Sequence, residues 1–246
     1  MKLTVVIPMY NEEKNAAACV ASLRELAQAH AEREYEFLLV NDGSSDHTES
    51  AVREAIAEDA RFRLLSYTPN QGKGCAVRTG MLEASGDAVL FTDCDLAYGT
   101  EAIDRMARQW EESGDDIVIG SRNLSPDGYE GYTLKRRIMS KTYIRLLSVA
   151  AGFRHSDSQS GIKCFGGAAA KEVFGYCRVN RFAFDLEALL IAERLGYTVG
   201  EMPVKVIHHA EGESKVNAVR DTLRMLRDIR AIRGRIKREI PAREKK

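Results

Sequence analysis

An α/β fold with a mostly parallel central sheet flanked by helices is what this sequence predicts, and three observations carry it. Short apolar runs and helical segments alternate through the first half with brief connections, the pattern of a parallel sheet covered on both faces. Polar clusters stand at five successive strand ends: Pro8–Glu12, Asn41–Asp46, Asn70–Lys73, Asp93–Asp95 and Gly120–Arg122. In such sheets, ligands bind beyond the carboxyl ends of the strands. The 246 residues are ample for one large core, and no repeat or linker divides them. The expected organisation is a single domain over residues 1–214, carrying a basic amphipathic helix and tail over 215–246.

Taken in order, Leu3–Pro8 reads as a buried strand, ended by a proline that cannot continue a ladder. A helix to about Ala29 follows, with Ala16, Val20, Leu23, Leu26 and Ala27 at helical spacing. Glu36–Val40 is the second strand, and Ser45 or Asp46 beyond it can cap the next helix. The third strand, Phe62–Tyr67, leads through Asn70-Gln-Gly-Lys-Gly74 into a helix up to Ser85. Ala88–Phe91 is the fourth, emptying into Thr92-Asp-Cys-Asp95; a helix around Thr100–Glu112 and a strand Ile117–Ile119 close the first half.

The second half is less regular. Gly131–Val149 mixes basic and apolar residues as an amphipathic helix or loop-helix would, and His155–Gly161 is a polar loop before the strand-like Ile162–Phe165. A helix runs from Phe182 to about Leu195, and a strand from Val199 to His208. Adjacent strand residues face opposite sides, which argues against a metal shared by His208 and His209. From Val216 a long helix sets Val219, Leu223, Leu226, Ile229 and Ile236 on one stripe, beside Arg220, Arg224 and Arg227.

Formal net charge is zero but uneven: from Lys215 onward twelve Lys/Arg face four Asp/Glu, leaving +8 there and −8 on residues 1–214. A basic appendage of this kind suits an anionic partner, either a membrane surface or a nucleic acid. Nucleic acid would explain the tail but not the strand-end clusters, so no nucleic-acid partner is expected. A solvated face is the plain alternative for the arginine stripe. The five cysteines are scattered with no Cys-x-x-Cys pair, so neither a disulfide framework nor a zinc site is indicated. No signal peptide is evident, and no segment approaches the roughly 20 apolar residues that span a bilayer. The expected location is cytoplasmic, peripheral on the cytosolic membrane face.

On an extended backbone Asp93 and Asp95 point the same way, and two carboxylates so close repel unless a cation sits between them. A strand followed by a turn is the bland alternative. Mg²⁺ or Mn²⁺ prefers carboxylate oxygen and keeps positions open for phosphate. A nucleotide-sugar donor brings a diphosphate that needs such an ion. Asp42 then suits a base or ribose contact, and Pro8 and Glu12 could wall and hydrogen-bond the base.

Val5-Val-Ile-Pro-Met-Tyr-Asn-Glu12, Val40-Asn-Asp-Gly-Ser-Ser-Asp46, Asn70-Gln-Gly-Lys-Gly74 and Thr92-Asp-Cys-Asp95, in this order, resemble the inverting family-2 glycosyltransferases of the GT-A fold. Ile119-Gly-Ser-Arg122, Asp157-Ser-Gln-Ser-Gly-Ile-Lys163 and Arg181-Phe-Ala-Phe-Asp-Leu-Glu187 resemble the polyprenyl-phosphate hexose synthases within it, above all the dolichyl-phosphate β-glucosyltransferases. The similarity runs from Leu3 to about Arg233. It implies donor binding by Pro8, Tyr10, Glu12, Asp42, Lys73 and Gln159, and metal binding at Asp93 and Asp95. Arg122 would face donor phosphate, with Arg136 or Arg137 on the diphosphate or lipid phosphate. One departure stands out: eukaryotic relatives of the glucosyl type carry an amino-terminal membrane helix, which is not seen here.

The implied reaction is transfer of a hexose, glucose from UDP-glucose, to a polyprenyl phosphate. GDP-mannose as donor, or a sugar hydroxyl as acceptor, stays open. A phosphate monoester has a second pKa near ~6 and is already a nucleophile at neutral pH. A hydroxyl acceptor needs a base, for which Asp185 is the candidate, although a helix dipole would also favour a carboxylate there. Lys73 is equally readable as a solvated helix-start lysine, and Gln159 as a loop cap.

Overall fold

The structure, a computed structural model, describes residues 1–129, 142, 152, 155–181, 183–207 and 218–243, the side chains of 218–227 excepted. Among the described residues seven strands form one sheet: β1 (Lys2–Met9), β2 (Glu34–Asp42), β3 (Phe62–Tyr67), β4 (Ala88–Phe91), β5 (Ile117–Ser121), β6 (Lys163–Gly166) and β7 (Val199–Pro203). Their order across the sheet is β3-β2-β1-β4-β6-β5-β7. Only β6 is reversed, pairing antiparallel with both β4 and β5. The helices described are α1 (Ala16–Ala29), α2 (Thr48–Ile56), α3 (Lys73–Glu83), α4 (Thr100–Ser113), α5 (Gly167–Tyr176), α6 (Phe184–Arg194) and α7 (Ala218–Glu239).

Strand alternation sends each run to two cores. Val6, Leu38, Val40 and Val89 face α3, α5, α6 and α7, whereas Leu3, Val5, Ile7, Phe37, Leu39 and Leu90 face α1, α2 and α4. Pro8 does not end β1, contrary to the sequence expectation. It keeps register with Val40, because β4 stops opposite Val6. Val6 turns its backbone toward β4, where its carbonyl accepts from Thr92. Pro8, two residues on, turns the same way, so its missing N–H faces a gap where no strand needs it.

Two further features differ from the sequence reading. Gly167–Tyr176, with no periodic pattern long enough to announce it, folds as α5 by burying Ala169, Ala170, Val173 and Phe174 in the sheet core. β7 stops at Pro203; His208 and His209 lie outside the described residues. The second half of α7 is part of the same core, through Ile229, Ile232, Ile236 and Ile240. Arg235 of α7 also pairs at 2.5 Å with Glu187 of α6, a fully buried carboxylate that accepts from the Arg178 and Val179 amides. The exposed face of this half carries Arg230, Lys237 and Arg238. Among the described residues, no helix is long and apolar enough to cross a membrane.

Gly80 shows how closely α3 lies on the sheet, since a Cβ there would fall 2.3 Å from Val6 Cγ1. Alanine gains about 1 kcal/mol of helix propensity over glycine, but overpacking a tight core costs typically about 1–3 kcal/mol. Gly80→Ala is therefore expected to lower stability by about 1 kcal/mol or more in urea unfolding, the reverse of an exposed helix glycine.

Candidate active site

The reversal of β6 decides what meets at the working edge. Six strands present their carboxyl ends there, and β6 presents its amino end, with Lys163 opposite Phe91. The loop before β6 and the start of α6 are thereby brought beside the β4 terminus.

On the nucleotide side, the first two loops interlock. Asn11, in the left-handed region at φ 57 that asparagine tolerates, accepts from Ser45 N at 2.9 Å and donates its own amide to Ser44 Oγ at 3.0 Å. The Glu12 amide donates to Thr48 Oγ1 at 2.7 Å. Asp46, and not Ser45, meets the start of α2, accepting from the Thr48 amide at 3.0 Å from one position before the cap. Tyr10 is left 49% exposed on the lip of the cleft. Asp42 is 2% exposed, and its carboxylate accepts from Asn70 Nδ2 and the Gln71 and Gly72 amides at 2.7–2.9 Å. Its visible task is to hold the loop that carries Lys73.

The acidic centre follows β4. Asp93 and Asp95 are brought together by a turn, not by strand alternation: Leu96 N donates to the Asp93 carbonyl at 3.0 Å, with Leu96 held at φ 46. Asp95 accepts from the Ala97 amide at 3.1 Å. Asp93 is in contact with the Lys73 ammonium. Gly161 lies against its other oxygen, where a Cβ would come within 2.5 Å. Burial opposes the Lys73 charge, but Asp93 and Asp185 outweigh it and hold the ammonium above its usual pKa.

Glu12 is pushed up by burial, against the Asn15 amide that lowers it, and then by Asp95, Asp93 and Asp46. Its folded pKa therefore exceeds the unfolded one. Between the two values the folded chain keeps a proton that the unfolded chain has lost, so stability falls as pH rises through that window. Glu12→Gln is expected to be more stable than the native protein at neutral pH, with the advantage fading toward about pH 4, the ordinary glutamate range. Urea unfolding at both pH values checks this; a constant difference would contradict it.

Behind the acids lies a chain of alternating charge. Asp185, buried at the start of α6, accepts from Lys163 Nζ at 2.8 Å. Lys163 is fully buried, lies over the Phe91 ring at 5.4 Å, and also donates to the Ser160 carbonyl at 2.5 Å. Burial raises the Asp185 pKa against the lowering pull of Lys163 and Lys73.

Arg122 contrasts with its assigned role. Its Nε and Nη2 grip Asp157 at 2.7 and 3.0 Å, and its guanidinium covers Tyr129 at 5.7 Å. The fork thus ties the 155–161 loop to the end of β5 instead of facing open cleft. Gln159 donates its backbone amide to Asp157 at 3.1 Å, while its buried Nε2 has no partner among the described residues. Arg136 and Arg137 lie outside the described residues.

On its other side Asp95 walls a cavity of about 630 Å³ between α1 and α4, with Cys19, Cys94, Tyr98, Arg105 and Val204. Reading residues alone missed roles for Lys163, Asp157 and Tyr98, whose hydroxyl accepts from Gly161 N at 3.2 Å. A lysine leading the otherwise apolar Cys164–Phe165 run was the available signal for Lys163. No group of three or more His, Cys, Asp or Glu side chains among the described residues forms a ready-made metal cage.

Residues 4–184 match the profile of Glycosyl transferase family 2. A dolichyl-phosphate beta-glucosyltransferase of Drosophila melanogaster is 34% identical over 221 residues, covering 83% of this chain and 67% of that protein. Another, from Trichomonas vaginalis, is 30% identical over 225 residues, covering 88% and 67%. The chain thus spans about two thirds of the length of these curated relatives. Among solved structures, glucosyl-3-phosphoglycerate synthase of Mycobacterium tuberculosis, in complex with Mn²⁺, UDP and glucosyl-3-phosphoglycerate, superposes with a TM-score of 0.67 at 18% identity, covering 96% of this chain and 79% of that one. Mannosyl-3-phosphoglycerate synthase of Rubrobacter xylanophilus gives 0.62 at 18% identity, covering 97% and 75%. Sheet order, strand-end motifs and profile agree: the chain belongs to glycosyl transferase family 2 and is a glycosyltransferase of the GT-A fold.

Proposed function

We propose that this protein transfers glucose from UDP-glucose to a polyprenyl phosphate of the dolichyl type, with inversion at C1. The observation that carries the proposal is the Asp93–Asp95 turn at the end of β4, crowded by Glu12. Magnesium-type sites commonly use one or two carboxylates and complete their shell with substrate phosphate and water. Two aspartates, with no third His, Cys, Asp or Glu grouped with them among the described residues, fit that pattern. Asp93 and Asp95 would hold the ion, which when bound neutralises charge on the leaving diphosphate. The base and ribose fall to the cleft between Tyr10, Pro8, Glu12 and Asp42. Gln159 Nε2, buried and unpartnered among the described residues, is a donor suited to a sugar hydroxyl. The named activity of the curated relatives supports the acceptor class.

The rest follows from charge. A phosphate acceptor requires no base, so Asp185 acts through Lys73 and Lys163 instead of taking a proton. Cations are what it requires, from Lys73 and from Arg136, Arg137 and Lys215, while Arg122 shapes the site through Asp157. An anionic membrane surface would present the lipid. There Arg230, Lys237 and Arg238 on the exposed face of α7 would each contribute about 1 kcal/mol.

Radiolabelled UDP-glucose incubated with the protein, Mn²⁺ and dolichyl phosphate should put label into the organic phase as the β-anomer. Label that appears only with GDP-mannose would move the donor assignment, and an α-linked product would end the inverting mechanism.

A further inference from the structure

Lys73 opens α3 between Gly72 and Gly74, and Asn180 packs directly on both glycines, with Phe184 against the second. A Cβ at Gly72 would fall 2.5 Å from the Asn180 carbonyl, and one at Gly74 2.6 Å from Phe184 Cβ. The lysine stem is thereby anchored at a fixed point facing the β4 terminus. Its ammonium touches Asp93, whereas Asp185 already has a cation of its own in Lys163 at 2.8 Å. Among the described residues, Lys73 is the ion-pair partner of Asp93. An ammonium and a divalent cation on one carboxylate oxygen repel each other. A diphosphate brings enough negative charge to accommodate both.

We infer that Lys73 is a resident counter-cation, which occupies Asp93 in the ligand-free protein and moves to the diphosphate when metal and nucleotide arrive together. The inference rests on the reading of Asp93 and Asp95 as the donor–metal site. Its consequence is an order of events. The free protein takes up divalent cation poorly, and nucleotide and metal each improve the other's binding, as reciprocal linkage requires. Lys73 is the source of that coupling. It also keeps the acidic edge from capturing a metal ion with no donor present.

Mn²⁺ titration followed by electron paramagnetic resonance tests this on the full chain, with and without saturating UDP. In the native protein, UDP should tighten Mn²⁺ at least tenfold. Lys73→Met should bind Mn²⁺ alone at least tenfold more tightly than the native protein, and bind UDP at saturating Mn²⁺ at least tenfold more weakly. Lys73→Arg, which keeps the charge, should retain most of the coupling. A lysine that only supported the loop would not move the two affinities in opposite directions. Lys73→Gln gives a second neutral variant should the methionine protein not fold. Mn²⁺ affinity unchanged in the neutral variants, with coupling intact in the native protein, overturns the role of Lys73 alone. If the native protein shows no UDP-dependent Mn²⁺ binding, the donor-site reading falls with it.

Discussion

Asp95→Ala is expected to abolish the rise in melting temperature that the proposed donor site should give the native protein with UDP-glucose and Mn²⁺, and to cut the proposed glucosyl transfer at least ~10³-fold. At one hundred times its Kd, a ligand adds about 2.7 kcal/mol to stability, roughly 5–10 °C for a chain of this size. The ligand-free variant should melt close to the native temperature. Asp95 lies in a turn, and what it gives up on truncation includes one hydrogen bond to the Ala97 amide, a loss of about 1 kcal/mol. Large functional loss with small structural loss is the signature of a group that meets ligand. A thermal shift by UDP-glucose and Mn²⁺ that survives the substitution would place the ion elsewhere and remove the basis of the proposed chemistry.

Lys163→Met should produce the opposite pattern, a protein damaged before any ligand is added. Lys163 is fully buried and Asp185 nearly so. Removing one partner of a buried pair costs about 3–5 kcal/mol, or roughly 6–20 °C in melting temperature, and leaves Asp185 only the weaker pull of Lys73. The sign of the pH dependence follows from Asp185, whose pKa burial already raises. Without Lys163 the folded value climbs further above the unfolded one, so the variant loses stability as pH rises through that window and recovers it as pH falls. Melting at pH 5 and pH 8 should show a larger deficit at the higher pH. The double variant Lys163→Met/Asp185→Leu should regain most of the loss, since apolar replacement of a whole buried pair is often near neutral. A single variant melting within about 2 °C of native would mean that Lys73 suffices to hold the Asp185 charge and that the Lys163 pair is not what stabilises this region.

The gathering of the loops at the candidate site was legible from residues. The strand-end clusters Pro8–Glu12, Asn41–Asp46, Asn70–Lys73 and Asp93–Asp95 do converge on one edge, because every parallel strand carries its carboxyl end to the same side. The identity of the partners was not legible. Asp42 and Asp95 look alike in sequence, yet one is saturated by the amides of the 70–72 loop and the other lies in a turn beside Glu12. Arg122, which the resemblance set facing donor phosphate, is gripped by Asp157, a residue 35 positions away.

The sequence by itself determined the α/β class, the alternating two-faced core and the polar residues at each strand terminus, because these follow from local periodicity and from where an apolar run gives way to Asp, Asn and Gly. Tertiary structure alone decided that β6 runs backward. That reversal is a choice among strand pairings, invisible to side-chain period. It sets Lys163 beneath Asp185 and Gly161 against Asp93, and so brings together charges that no spacing along the chain connects.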